Sequence, residues 1–270
     1  VDAGMAYQRA LHLLTTHGRG ETVEAADVFH NLGGLEHAAG NWLRGEHYAR
    51  ESVRLRAKLL GRRHPSVAHD MTALAALLDR QKKPAKVKEA ERLHERALAI
   101  LEREYGPDHH LVAVALNNLA AVRHERRKSR DAEAMYRRAL AIEEAQLGPT
   151  HPKVAFTLNN LAVLMKDTRR PREAAGLFKR ALTLFTRELG EGHPHVGVCL
   201  ENYAEVLKKT GEKAAAQRAA RKAARIMKGI DAVNETGVAV TGTVNPLFTK
   251  NLLQTHNGDA STGLRSEEHT

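Results

Sequence analysis

Sixteen histidines and one cysteine are the side chains of this 270-residue sequence best equipped for chemistry, as metal ligands, general bases or a nucleophile. Their spacing argues against all three uses. His64, His109, His151 and His193 recur at 45, 42 and 42 residues, one per repeated unit, whereas a tight metal site needs several ligands converging within about 2.0–2.2 Å of one ion. These histidines read as parts of a turn that starts a helix. His109 and His110 are adjacent, and neighbouring side chains on a backbone point apart. Cys199 has no His–Asp or His–Asn pattern to activate it, so it reads as a small packed residue. Alone, it forms no intrachain disulfide and leaves zinc without its usual ligand set. No glycine-rich phosphate loop and no His-Glu-x-x-His stretch occurs. The expectation is a non-enzyme with no catalytic residue, no metal and no cofactor.

Amides offer a different chemistry. Asn117-Asn118 and Asn159-Asn160 lie 42 residues apart inside the same Leu-Asn-Asn-Leu-Ala run. An amide donates and accepts at once, which suits recognition of a polypeptide backbone whose own groups are unpaired.

The elements that position these residues follow from the repeat. One small residue recurs at Ala10, Ser52, Ala97, Ala139, Ala181 and Ala223, spaced 42 residues apart except for one interval of 45. The three extra residues fall in the 81–88 stretch, where a loop tolerates them. Each unit predicts two helices. In the fourth, Val154, Ala155, Leu158, Leu161, Ala162 and Met165 follow helical spacing, as do Phe178, Ala181, Leu182, Phe185 and Leu189. Pro171 opens the second helix, and the Gly190-Glu191-Gly192-His193-Pro194 run closes it and starts the next. Small residues at Gly33, Ala75, Ala120, Ala162 and Ala204 let the first helices approach their neighbours closely. Composition agrees: with only 4% aromatics against 42% hydrophobic residues overall, helix is favoured over an all-β core. No run approaches the roughly 18 apolar residues of a membrane helix.

The Leu-Asn-Asn-Leu-Ala run, the Tyr136-Arg137-Arg138-Ala139-Leu140 and Phe178-Lys179-Arg180-Ala181-Leu182 runs, and the Leu-Gly-x-x-His-Pro junctions resemble the tetratricopeptide repeat in its 42-residue, kinesin-light-chain-like form. The resemblance covers about Ala6 to Met227. It implies an all-α, right-handed superhelical solenoid of antiparallel hairpins that binds protein partners in a concave groove lined by the first helices. One groove position per unit is then held by His30, Thr72, Asn117, Asn159 and Glu201. Val163 belongs to a second set, and His124, Lys166, Lys208 and Lys209 lie toward the helix ends. On this basis Asn117 and Asn159 are expected to contact ligand, and Asn118 and Asn160 to sit in packing between hairpins. A structural role for all four is the alternative.

The expected organisation is a truncated repeat at 1–21, an array at 22–232 with units at 22–63, 64–108, 109–150, 151–192 and 193–232, and a mostly disordered tail at 233–270. Residues 265–270, Arg-Ser-Glu-Glu-His-Thr, resemble the translation of a sequencing adapter. The chain starts at Val1 and reads as a fragment of a cytoplasmic protein.

The net charge of +10 asks for an acidic partner. The loops within the last four hairpins carry +4, +3, +2 and +2, slightly more than the whole net charge. Stacked side by side they predict a basic edge built by Arg80, Lys82, Lys83, Arg126, Arg127, Lys128, Arg130, Arg169, Arg170 and Arg172. The favoured partner is an acidic peptide. A solvated edge is the alternative, and nucleic acid is disfavoured because base-stacking aromatics are few. From another class, the array would support an effector domain elsewhere in a larger protein.

Overall fold

A computed structural model describes residues 3–235, with side chains through residue 229. Eleven helices and no strand occur among the described residues: α1 (Ala3–Thr16), α2 (Val23–Ala38), α3 (Trp42–Leu60), α4 (Pro65–Arg80), α5 (Pro84–Tyr105), α6 (His110–Glu125), α7 (Ser129–Leu147), α8 (Pro152–Asp167), α9 (Pro171–Leu189), α10 (Pro194–Thr210) and α11 (Lys213–Glu235). Five hairpins run from α2/α3 to α10/α11, each stacked on the next, and α1 packs on α2. The first helices α2 and α4, α6 and α8, and α8 and α10 also touch across units. They therefore occupy the inner side of a right-handed solenoid. The last hairpin continues to Glu235, three residues beyond the unit boundary expected at 232. The rest of the expected tail, including residues 265–270, lies outside the described residues.

Each unit starts and stops by the same local chemistry. His64, His109, His151 and His193 are the N-caps of α4, α6, α8 and α10, each ring accepting at Nδ1 from the backbone N–H two residues on, at 3.1–3.2 Å. That uses an otherwise unpaired donor of the first turn and fixes the tautomer with the proton on Nε2. Proline at 65, 152 and 194 follows three of these caps, where its missing N–H costs nothing. At the other end Gly61, Gly106, Gly148 and Gly190 adopt φ between 84° and 88° with ψ between 148° and 164°, a backbone region essentially restricted to glycine.

The recurring small residues sit where the helices meet. Ser52, Ala97, Ala139, Ala181 and Ala223 are at most 1% exposed. Gly45 is the tightest approach: a Cβ there would meet Leu77 Cδ2 at 2.5 Å. A different repeat position takes the large side chains. Tyr136 and Phe178 fill it in the third and fourth units, while Ala49 and His94 hold it in the first and second, all of them buried.

The concave groove and its cationic edge

The residues expected to line the groove do not share one environment. Glu201, Lys208 and Lys209 are exposed, and Thr72, Val163 and Lys166 are half-buried. Asn117 and Asn159 are only 1% and 6% exposed. Asn117 Oδ1 accepts from Asn160 Nδ2 at 3.2 Å, joining α6 to α8, so the amide expected to face ligand is bonded to one expected to pack. Two amide atoms on these neighbouring helices have no partner, the donor Nδ2 of Asn117 and the acceptor Oδ1 of Asn159. Lys166 is held by Asn202 Oδ1 at 2.6 Å and Glu205 at 3.1 Å. His124 meets Asp167 at 3.2 Å. Burial lowers the imidazole pKa, with the Asp167 carboxylate opposing it.

His30 belongs to a buried network that spacing did not reveal. Its Nδ1 lies 2.8 Å from Asp70 Oδ1, while Asp70 Oδ2 accepts from Ser52 at 2.7 Å and Arg56 at 2.6 Å. The Asp70 side chain is fully buried. Burial opposes its ionisation, and the His30 contact together with Arg56 and Ser52 nevertheless keeps its pKa below the ordinary value. The His69 ring stacks on His30 with centroids 4.6 Å apart. One ligand atom from each of His30, His69 and Asp70 falls within 4.8 Å of the others. The Arg56 guanidinium against the same carboxylate already matches its charge, which makes the cluster a brace between the first two units. A further Arg56 contact, to Asp27 at 2.8 Å, extends it to the surface.

The same interface position shows why sequence spacing missed this network. Arg56 and Asp70 correspond by repeat register to Leu101 and Ala115, to Glu143 and Thr157, and to Phe185 and Cys199. The junction is thus ionic once, polar once and apolar twice. Burial raises the Cys199 thiol pKa strongly, consistent with a packed residue. Glu143 is 3% exposed with Oε2 unpartnered. Burial pushes its pKa up to about 7 against the Thr157 hydrogen bond.

Four of the ten edge cations are matched by acids. Lys82 pairs with Asp79 at 3.1 Å and Glu125 at 2.6 Å. Lys128 reaches Glu91 at 2.9 Å, and Arg126 bonds the same carboxylate. Arg170 meets Glu133 at 2.8 Å and Glu173 at 2.5 Å. Glu46 is buried, which disfavours its charge, yet Gln81, Lys86 and Arg50 hold its pKa down to about 2. Arg80 lies over the Trp42 ring, 4.8 Å from its centroid. Lys83, Arg127, Arg130, Arg169 and Arg172 have no ion pair among the described residues. The edge is therefore a mixed lattice with five free cations rather than a continuous positive stripe.

Paired helices stacked around a groove, with recurrent histidine caps and glycine stops, define a helical-repeat solenoid. The family model described as tetratricopeptide repeat matches residues 24–88, 85–145, 132–187 and 170–229, so the chain belongs to the tetratricopeptide repeat family. Its fold is similar to BtubC (BKLC) from P. vanneervenii, at 26% identity and a TM-score of 0.65 over 85% of this chain and 88% of that one. It also resembles nearly identical TPR-like repeats of kinesin light chain type from Podosopora anserina, at 20% identity and a TM-score of 0.61, over 77% of this chain and 98% of that one. A third likeness is the apo form of RapI, at 14% identity and a TM-score of 0.60, covering 84% and 91%. The chain has no significant match among curated protein sequences. Repeats of this family generally serve as non-catalytic scaffolds for protein–protein interaction. No described helix is long and apolar enough to cross a membrane.

Proposed function

We propose that the concave groove holds an extended, acidic segment of a partner protein, in the cytoplasm. The observation that carries this reading is the pair of unpartnered amide atoms, a donor at Asn117 Nδ2 and an acceptor at Asn159 Oδ1, on adjacent first helices. A peptide backbone supplies both complements, and a buried polar atom without a partner costs about 1–3 kcal/mol that such a ligand would relieve. Both atoms are covered in the free protein, so engagement requires side chains at the groove floor to move. Toward the last unit Lys208 and Lys209 stand exposed and favour carboxylates on the peptide.

The test is to pan a peptide library against the whole chain and against the Asn117→Ala/Asn159→Ala variant. Selected peptides rich in Asp and Glu, bound about tenfold or more weakly by the variant, are expected. Unchanged affinity in the variant removes the amide mechanism. Selection indifferent to peptide charge removes the acidic preference.

A further inference from the structure

The second helices carry charges of both signs, paired with one another, until the last unit. Arg138 of α7 reaches Glu102 of α5 at 2.7 Å, and 42 residues on Arg180 of α9 reaches Glu144 of α7 at 2.6 Å. Arg137 of α7 likewise meets Glu173 of α9 at 2.6 Å. α11 breaks this pattern. From Lys213 to Lys228 there are six Lys and Arg and no Asp or Glu. Lys222 pairs with Glu191 at 3.0 Å. Arg218, Arg221, Arg225 and Lys228 are exposed, and they have no ion pair among the described residues.

α11 buries Ala216, Ala219, Ala223 and Ile226, and each of the four unpaired cations follows one of these by two residues. Two residues turn an α-helix by about 200°. The cations therefore form a stripe on the side of α11 directly away from the core. By repeat register the same four positions hold Gly176, Lys179, Thr183 and Thr186 in α9, and Ala134, Arg137, Ala141 and Glu144 in α7. The all-cationic stripe is thus a property of the last helix and not of the repeat. Its members stand three and four residues apart, where like charges disfavour a helix. Neutral residues such as those of α9 would avoid that repulsion, and a polyanion relieves it.

Arg218 and Arg225 make one edge of the stripe, and Arg221 and Lys228 the other, over about 15 Å of helix. We propose that this face of α11 lies along the major groove of double-stranded DNA and binds the phosphates on its two sides, independently of base sequence. That groove is about 12 Å wide and admits an α-helix. Duplex DNA carries one negative charge per about 1.7 Å of its axis, so each of the four cations finds a phosphate within reach of its flexible side chain. Guanidinium groups match phosphate oxygens two at a time. The scarcity of aromatics that disfavours single strands has no bearing on a duplex, whose bases stay stacked. A partner helix or a membrane surface would need apolar anchors beside the cations, and the residues sharing this face, Ala214 and Gly229, offer none. The site is separate from the concave groove and does not rest on how that groove is used.

The probe is a labelled DNA duplex of about 20 base pairs, titrated with the whole chain and followed by fluorescence anisotropy between roughly 0.05 and 0.2 M salt. Four phosphate contacts predict that log Kobs falls against log[salt] with a slope of about −3.6, a roughly 150-fold loss of affinity across that range. Replacing Arg218, Arg221, Arg225 and Lys228 together by serine is expected to keep the circular dichroism and thermal stability of the parent. The same variant should weaken the duplex about tenfold or more at the lowest salt and flatten the slope toward zero. Arg218→Lys with Arg221→Lys and Arg225→Lys keeps the charges and is expected to keep the slope. Replacing Lys83, Arg127, Arg130 and Arg172 by serine removes the same charge from the loop edge and is expected to leave the slope unchanged. A single strand of the same length, an RNA duplex and phosphatidylserine vesicles are each expected to bind more weakly than the DNA duplex. No binding of the duplex at the lowest salt overturns the proposal, as does an undiminished slope in the stripe variant. Equal losses in the stripe and loop variants would reduce the effect to net charge and also overturn it, and so would tighter binding of the single strand, the RNA duplex or the vesicles.

Discussion

His94 and Glu143 are buried ionisable side chains whose effects on stability run in opposite directions with pH. His94 is 1% exposed, both ring nitrogens lack a partner, and burial lowers its pKa to about 4. The unfolded chain, with an ordinary histidine near 6.5, binds more protons between pH 4 and 6.5, so stability is retained above that window and lost as pH falls through it. Glu143, raised to about 7, does the reverse: the folded chain holds the proton above the ordinary carboxyl value of about 4.5, and stability is lost as pH rises from there through 7. Each shift corresponds to about 3 kcal/mol. His94→Phe, which introduces the aromatic type found at the equivalent Phe178, is therefore expected to gain on the parent by about that amount between pH 7 and pH 4. Glu143→Gln is expected to gain similarly between pH 4.5 and pH 8. Urea melts of the three proteins across pH check both, and parallel profiles for variant and parent refute the assignment.

The turn between paired helices is an element with an uneven solution. Its left-handed residue is Gly40 in the first unit and Gly211 in the last, but Lys82, Arg127 and Arg169 in between, with φ of 52°, 61° and 61°. A side chain in that region costs about 1–2 kcal/mol. Arg127 and Arg169 have no ion pair to lose, so Arg127→Gly and Arg169→Gly are each expected to stabilise by a few tenths to about 1 kcal/mol, net of glycine's greater unfolded-state entropy. Thermal melts check this, and a loss of stability in both contradicts it. The helices, their Gly and His-Pro junctions and the close-packed small residues were legible in the sequence, because each follows from a local rule repeated every 42 residues. The left-handed cations were not, since Arg and Lys carry no turn signature. Nor was the pairing of the loop charges legible from loop composition, because the partner acids sit on other helices. Arg138–Glu102 and Arg180–Glu144 both span 36 residues, so a search for opposite charges at that offset would have found them. The depth of Asn117 and Asn159 depends on helix rotation within the stack, which the repeat period alone does not specify.

At the scale of the whole molecule, each hairpin contacts mainly its neighbours, and stability is close to a sum of units and interfaces. Damage at one interface should therefore stay local. Asp70→Ala leaves the buried Arg56 guanidinium with Asp27 alone and takes the shared carboxylate from His30 and Ser52, and the loss is expected to approach the about 3–5 kcal/mol of a broken buried pair. The chain carries its own remedy at the next interface, where register places Leu101 and Ala115. Arg56→Leu combined with Asp70→Ala copies that apolar solution and is expected to recover most of the loss, since well-packed apolar replacements of buried ion pairs are often neutral or stabilising. Hydrogen exchange resolves the location. In the single variant, amides of α2, α3 and α4 should lose protection while those of α8 through α10 keep theirs, and the double variant should restore the first group. Uniform loss along the array would mean that the solenoid unfolds as one cooperative body, with the Arg56–Asp70 brace acting on all of it.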